Sequence, residues 1–532
     1  MKTSSDPVIK PWVPAWLIKV TIFMVIIPSM CLFGLSSANS NAAAGFYGFE
    51  PNDVQYSMAV FYAAVTSFFA LERRFFDYVA VKEYLLLGAI VQIAASYICY
   101  VTHTLPVLLV FRFVQGMANC SISSICITLI FRQLHGERAR EIGYSVFFGM
   151  LLCVSQLTMM TTSPLLETFD FNVLYKGVMF LLIPGTILLY FLLRDGRLSN
   201  KSHLYNLDWQ SFVIYATLLL LIGYILIYGQ QYYWFEDQRL TWSLVGVVVC
   251  LLLHVARQHH LKRPYLSLDV FTYRNFQVGA VLIFAFYILR GTLNVTNNYF
   301  AFALGMDPTH IAYMLAANSA GIICMAFVTS RMIVVQKPMR FILMGGFGLM
   351  LIFHIWMRLL FTIQANEWTY LLPLFIHGAG AGMLMAPIIL YMVSAVPAQL
   401  GGVASATGVF FRYLGSCCSI ALINYFALLK QTIHFDRFQQ HLSEVDPITV
   451  QNLSTLKRGF IAKGIAPEQA TKMATAMINR TVRVQSQLRF SMDYYEMLSW
   501  CILVIILLIA VYPYLNRTIV NVKSNQPAPA SF

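Results

Sequence analysis

Fourteen runs of apolar residues, each 18 to 28 residues long, restrict this chain more than any other feature of its sequence. A helix needs about 20 residues to cross the hydrocarbon core of a bilayer. Charged residues make up only 11% of the chain, whereas soluble domains carry about 25%. A membrane β-barrel would instead show short alternating segments. We therefore expect an all-α integral membrane protein whose spans are 15–35, 54–71, 84–102, 105–131, 143–163, 175–193, 209–228, 240–257, 276–303, 309–330, 340–363, 369–394, 403–429 and 495–515.

The basic residues alternate from one side of the membrane to the other. With a cytoplasmic N-terminus, the short outer loops hold only Lys176 and Arg239. The loops placed inside hold far more, including the clusters at 73–82, 194–201 and 257–274. Since cytoplasmic loops collect Lys and Arg, this asymmetry predicts both termini in the cytoplasm. It also accounts for most of the net charge of +13 without a nucleic-acid partner.

The spacing of the spans divides the chain into six, two and six. Two long polar, basic segments, 194–208 and 258–275, bracket the two middle spans. We expect an N-terminal six-helix bundle over 1–193, two linker spans with basic cytoplasmic loops over 194–275, and a C-terminal six-helix bundle over 276–515. A disordered cytoplasmic tail, 516–532, follows.

Residues 430–494 form the only long outer segment. Asp446-Pro447 is typical of a helix start and Gly464 of a helix end, and Pro467 can begin a second helix that continues into the last span. Two interpretations remain open. The segment is either a solvated helical hairpin over the outer mouth or a docking surface for a periplasmic partner.

The stretch LLVFRFVQGMANC places charge and amides inside the fourth run. On a helix, Arg112, Gln115 and Asn119 share one stripe, with Gly116 beside them. A charge at the bilayer centre costs about 2.5–3.5 kcal/mol on insertion scales, so we expect the stripe to face the bundle interior. Either Arg112 takes part in a polar cavity or proton relay, or neighbouring carbonyls satisfy it in a structural role.

Polar residues in other spans extend the set of cavity-lining candidates. In the ninth span Arg290, Asn294 and Asn297 fall on one helical face and either line a cavity or reach the outer interface. Arg412 lies between the glycines of the thirteenth span and needs a partner. Gln156 in the fifth span is a further candidate.

Titratable groups inside the spans are scarce. The sequence places no carboxylate deep in any predicted span, which leaves His354 and His377 near the middle of theirs. His377 is a proton-relay candidate because histidine titrates near neutral pH, although a hydrogen-bonded structural role is the plainer interpretation. The chain has no GK[ST] phosphate loop and no Cys/His metal spacing, so we expect no enzyme activity, cofactor or metal.

Several stretches, taken in order, resemble one transporter family. LLVFRFVQGMANC resembles the fourth-span motif of the major facilitator superfamily, and DYVAVKEYLLLG resembles the end of its loop motif after span two. In that loop Asp77 and Lys82 match, while Arg73 and Ala80 stand where glycines are expected. The stretches 207–235, 262–276 and 401–422 are similar to the fourteen-span drug:proton antiporter branch (EmrB/QacA type). The branch's first-span Asp and its fifth-span Gly-Pro pair are missing.

The resemblance implies a fold and a function. It implies a secondary transporter with a major facilitator fold that exports amphipathic small molecules or drugs by alternating access, coupled to protons. It assigns Arg112 to proton transfer and the Asp77–Lys82 loop to gating. A periplasmic adaptor and an outer-membrane channel would complete the path from the inner membrane. An uncoupled facilitator or importer, or a membrane scaffold or receptor that has lost transport, are the alternatives.

Overall fold

A computed structural model describes residues 8–133, 139–196, 208–261, 264–440, 442 and 446–512. Within this part of the chain, the regular structure is helical and comprises seventeen α-helices and a few short 3-10 turns. In chain order they are α1 (Ala15–Ala38), α2 (Ser40–Tyr47), α3 (Pro51–Tyr78), α4 (Val81–Val101), α5 (Leu105–Gln133), α6 (Ala139–Leu166), α7 (Val173–Leu192), α8 (Trp209–Tyr228), α9 (Gln238–His260), α10 (Arg274–Arg290), α11 (Thr292–Phe302), α12 (Pro308–Val334), α13 (Met339–Leu360), α14 (Trp368–Ser394), α15 (Gly401–Gln440), α16 (Pro447–Ala462) and α17 (Pro467–Val511).

Fourteen stretches of these helices are long and apolar enough to cross a membrane, which confirms the predicted number of spans. The ninth span differs in detail, because it comprises two helices, α10 and α11, that meet at Gly291. A Cβ atom on Gly291 would overlap the Ser419 hydroxyl of α15. The absence of a side chain therefore lets α15 approach the break closely.

The helices pack as two groups with two extra spans at their side. Helices α1 and α3–α7 pack on one another, as do α10, α12–α15 and α17. The groups meet where α6 packs against α12 and where α3 packs against α15. Helix α8 covers the α3–α15 seam, and α9 packs on α8. We call the first group the N bundle and the second the C bundle; the domain boundaries predicted at 193 and 275 stay a prediction.

The two ends of the molecule differ. The end with the loops at 102–104, 167–172 and 361–367 also carries a helical hairpin, made by the end of α15, α16 and the start of α17. We call it the hairpin end and the opposite one the terminal end. Asp446 caps α16 through its carboxylate, and Gly464 between α16 and α17 has a φ of 85°. Helix α17 then runs without interruption from the hairpin into the last span.

Candidate functional site

A cavity lies between the two bundles near the middle of the molecule. Its volume is about 60 Å³, and its wall is mostly aromatic and aliphatic. The N bundle contributes Asn119 and Ser123 from α5, and the C bundle contributes Arg290 and Arg412 from α10 and α15. Its aromatic wall residues are Phe33, Phe61, Tyr62, Phe69, Phe147 and Tyr287. Small-molecule sites commonly combine an apolar wall with a few polar groups in this way.

The two arginines in the wall have different surroundings. Arg290 donates a hydrogen bond from Nη2 to the Leu152 carbonyl of α6 at 3.0 Å, and its guanidinium lies 5.9 Å from the Tyr287 ring. Arg412 is 4% exposed, and the structure shows no hydrogen bond or ion pair for it among the described residues. Its guanidinium lies 6.0 Å from the centre of the Phe148 ring on α6. Arg412 is thus a nearly buried cation at the cavity wall.

Asn119 reaches the cavity wall while anchored to the first helix. Its Nδ2 atom donates to the Ser29 carbonyl at 2.8 Å and to the Ser29 hydroxyl at 2.9 Å. These bonds fix the amide group against α1, at the middle of α5. The side chain is 7% exposed, so the cavity is its main opening.

Arg112 and Gln115 lie one layer behind that wall, nearer the hairpin end. Arg112 is fully buried; its Nη1 atom donates to the Leu32 carbonyl at 2.9 Å and to Gln115 Oε1 at 3.2 Å. Gln115 in turn donates to the Ser96 hydroxyl of α4 at 3.1 Å. The guanidinium lies 4.7 Å from the centre of the ring of Phe61, a residue that also lines the cavity. Arg112 Nε and Nη2 have no hydrogen-bond partner in the described structure.

Gly116 explains why Phe61 can reach Arg112. A Cβ atom at position 116 would overlap the Phe61 carbonyl oxygen and the Ala64 side chain. The glycine therefore lets α3 and α5 pack backbone to backbone. That close approach carries Phe61 onto the guanidinium face, so the motif builds a packed cluster inside the N bundle.

Gln156 and His377 belong to one polar chain that crosses between the bundles. The side-chain amides of Gln156 on α6 and Asn318 on α12 are hydrogen-bonded at 3.1 Å. Asn318 Nδ2 lies 2.9 Å from His377 Nδ1 and 2.9 Å from the Leu374 carbonyl of α14. His377 is buried, and its Nε2 atom has no partner among the described residues. Asn318, which the sequence analysis did not select, is the link between the two candidates.

His354 lies close to His377 but has different hydrogen-bond and packing partners. Its Nδ1 atom bonds the Met350 carbonyl one turn back along α13 at 2.7 Å. Its ring is 5.1 Å from that of Tyr495 on α17. The buried ring is thus held by its own helix and by packing.

The structure does not bring Asn294 and Asn297 to the cavity wall beside Arg290. The break at Gly291 separates Arg290, on α10, from the asparagines on α11. Asn294 is exposed, and Asn297 is half-buried with an Oδ1 atom that lacks a hydrogen-bond partner in the described part. The shared face of these three residues stays a prediction.

The predicted gating pair is described only in part. Lys82 Nζ lies 3.4 Å from Asp195 Oδ1 and 4.4 Å from the centre of the Tyr190 ring, so it ties α4 to the end of α7 within the N bundle. The α3 helix passes through Asp77, whose side chain lies outside the described residues.

Glu72 is a buried carboxylate that the sequence analysis missed. The predicted second span stops at residue 71, but α3 continues to Tyr78, and Glu72 is 1% exposed. The Cys120 thiol of α5 donates to its Oε2 atom at 3.5 Å, while Oε1 has no partner in the described structure. The sequence could have indicated its burial, because Glu72 lies two turns after Ala64 on the same face of α3, and Ala64 packs against Gly116.

At the terminal end, an ion pair joins the two extra helices. Asp208 caps α8 through the Ser211 amide at 3.2 Å and accepts from Arg257 Nη2 of α9 at 2.8 Å. Burial raises the pKa of the Asp208 carboxyl, but the hydrogen bonds from Ser211 and Arg257 outweigh it, and the net effect lowers the pKa.

Membrane-length helices in two bundles, with a cavity that takes polar groups from both, define a multi-pass membrane transport protein. The chain belongs to the major facilitator superfamily: the family described as Major Facilitator Superfamily matches residues 20–419. The family predicted from the motifs is confirmed.

Curated relatives are similar along most of their length. The chain is 23% identical to the colistin resistance protein EmrB of Acinetobacter baumannii over 429 residues, 79% of this chain and 80% of that protein. It is 21% identical to the multidrug export protein EmrB of Haemophilus influenzae, over 68% of this chain and 71% of that one. These low identities fit a divergent member of the predicted branch.

Solved structures share the fold. A crystal structure of a mutant of the peptide transporter POT superposes with a TM-score of 0.58 at 14% identity, covering 94% of this chain and 95% of that one. A mutant of the nucleoside transporter NupG gives 0.54 at 8% identity, covering 92% and 99%. At these identities the likeness concerns the fold alone.

Proposed function

We propose that the protein exports amphipathic small molecules or drugs by alternating access. The observation that carries the proposal is the position of the contacts around the cavity. Hydrogen bonds that join the bundles in the described structure lie from the middle of the molecule to the hairpin end. Rocking one bundle against the other would break them and open the cavity to the hairpin end.

The sequence pattern supports an orientation for this motion. The basic residues concentrate at the terminal end, which supports a cytoplasmic position for that end and an outward-facing hairpin end. The relatives named above are bacterial proteins, which supports the inner membrane as the location.

Proton coupling is the second part of the proposal. Glu72 is an acidic group enclosed by the N bundle, with one oxygen unpaired within the described residues. Intramembrane carboxylates commonly serve proton relays. Arg112, Gln115, Asn119 and His377 stay relay candidates, each held by the contacts described above.

The test uses everted membrane vesicles and a fluorescent dye. An antiporter takes up the dye when a proton gradient is imposed, and the dye collapses that gradient. A protonophore abolishes this uptake. Uptake down the dye gradient that ignores the protonophore would indicate a facilitator or importer, and absence of both signals would indicate a scaffold or receptor.

We also propose the hairpin as the docking surface for a periplasmic adaptor that leads to an outer-membrane channel. Exposed apolar side chains on α16 and α17 support this, namely Ile448, Met473 and Met477. Adaptor co-purification should be lost when 440–485 is deleted. A retained complex would refute the docking proposal, and retained dye transport by the deletion variant would confirm that the bundles still fold.

A further inference from the structure

We infer that the cavity binds amphipathic organic anions: molecules with a carboxylate or sulfonate on a flat apolar body. The inference rests on the proposed transport function and specifies its substrate class. It follows from the charges in the cavity wall, the state of Arg412, and the shape of the apolar surface beside it.

The wall carries positive charge without an acidic counterpart. Its two ionised side chains are Arg290 and Arg412, and its other polar groups are the amide of Asn119 and the hydroxyls of Ser123, Tyr62 and Tyr287. An enclosed space of low polarity strengthens electrostatic interactions. The wall therefore favours an anion and opposes a cation of the same size.

Arg412 supplies the specific anchor. A buried charge is costly unless it is paired, and the guanidinium of Arg412 has no acceptor among the described residues although the side chain is 4% exposed. A planar guanidinium can bind a carboxylate through two parallel hydrogen bonds. A ligand anion would supply the missing partner.

Arg290 adds charge while holding the bundles together. One of its nitrogens is used by the Leu152 carbonyl of α6, and its remaining donors are available to a ligand. Because Arg290 belongs to the C bundle and Leu152 to the N bundle, an anion bound here would touch a contact that alternating access must break. The ligand would thus be placed where its charge can influence the motion.

The rest of the wall fits the other end of the ligand. Phe33, Phe61 and Phe147 are cavity-facing rings, and Phe61 is fixed from behind by Arg112. Fixed aromatic faces accept flat aromatic or aliphatic bodies by stacking and apolar burial. The anionic group and the apolar body therefore have separate, adjacent contacts.

The experiment measures binding to the purified full-length protein in nanodiscs. Three radiolabelled probes share one ring system: 2-naphthylacetate, its neutral amide, and a naphthylmethyl trimethylammonium cation. We expect the acetate to bind most tightly. Arg412→Gln should weaken acetate binding about tenfold or more, the loss that follows from removing a hydrogen bond to a charged group. Arg412→Lys should retain part of the preference.

The control is Arg358→Gln, which removes an arginine paired with Glu496 at the hairpin end, where both side chains are nearly half exposed. It should leave all three affinities unchanged. Each variant's melting temperature is recorded, so that loss of binding with an unchanged melting temperature reports on the site. Tighter binding of the cation than of the acetate, or unchanged acetate binding in Arg412→Gln, would overturn the inference.

The outcomes separate this inference from the proposed function. Acetate binding without transport of any dye in vesicles would support the anion site and remove the transport function. Dye transport with no preference among the three probes would keep the function and reject the anion site.

Discussion

The Nη1 atom of Arg112 donates to the main-chain carbonyl of Leu32 at 2.9 Å and thereby joins α5 to α1. The bond spans 80 residues of sequence and lies wholly inside the N bundle. Since the guanidinium also stacks on Phe61, the same side chain fixes one wall of the cavity from behind. Arg112 therefore acts on the cavity through its neighbours.

Arg112→Ala should reduce dye transport strongly and lower the stability of the protein. It leaves Gln115 Oε1 without its donor and removes the second hydrogen bond of the Leu32 carbonyl, which keeps its bond within α1. An unsatisfied buried group costs about 1–3 kcal/mol. Transport in everted vesicles and the melting temperature in detergent measure the two effects. Arg112→Lys keeps the charge but not the planar stacking on Phe61. It should therefore retain only part of the wild-type transport and stability. Wild-type transport by Arg112→Ala would rule out a role in the mechanism.

Gly116→Ala should destabilise the N bundle, because its Cβ atom would overlap the Phe61 carbonyl oxygen. Overpacking of this kind costs about 1–3 kcal/mol. The matched control is Gly149→Ala in α6, where a Cβ atom would meet nothing within 4 Å. Thermal unfolding followed by size-exclusion chromatography should show a lower melting temperature for the first variant only. Equal melting temperatures would mean that α3 and α5 are not in backbone contact.

Glu72→Gln should abolish substrate-dependent proton movement, because the amide does not bind and release a proton as a carboxyl group does. The change is nearly isosteric, so folding should be preserved. Glu83→Gln, at an exposed carboxylate in the first turn of α4, is the control and should behave as wild type. The readout is quenching of a pH-sensitive dye in everted vesicles. Undiminished proton flux in Glu72→Gln would exclude this carboxylate from coupling.

Cross-linking across the hairpin end should stop transport. Gln55 of α3 and Asn424 of α15 are hydrogen-bonded at 3.1 Å, so cysteines placed there can be bridged by a short reducible linker. The native cysteines are free thiols and must first be replaced. Transport should fall in proportion to the cross-linked fraction and return on reduction, whereas each single cysteine should have no effect. Full transport by the cross-linked protein would contradict the proposed opening at this end.

Asp208→Asn should lower the melting temperature at neutral pH, with a difference that vanishes in acid. The lowered pKa of Asp208 means that its carboxylate stabilises the folded state above the unfolded pKa of about 3.9. That contribution is lost as the pH falls through the folded pKa. Melting temperatures from pH 7 down to about 2 test this. Glu236→Gln, at an exposed position between α8 and α9, should show no such trend.

The spans could be predicted from sequence because length and hydropathy depend on local residues alone. All fourteen are present, and the motifs indicated the correct family. The break at Gly291 was not predicted, because a glycine inside an apolar run is compatible with a continuous helix, a close helix contact or a break. Only the close approach of Ser419 in the structure shows which of these applies.

The contacts of the site residues depend on packing between helices, which a single sequence does not show. Arg112 and Arg412 look alike as charges inside glycine-containing spans, yet one has two acceptors and the other has none among the described residues. Asn318 became visible only when Gln156 and His377 were both found against it. Glu72 was missed because three consecutive charged residues ended the apolar run before the helix ended.

Because α17 is one continuous helix, movement of the last span is transmitted directly to the hairpin. Its 45 residues correspond to a rod about 68 Å long at a rise of about 1.5 Å per residue. Its second half is the last span within the C bundle, and its first half extends into the hairpin, where it packs on α16. A tilt of the bundle by about 10° would move the far end of the helix through roughly 6 Å on that geometry. A partner protein bound at this end of α17 would therefore be displaced each time the C bundle tilts during the transport cycle.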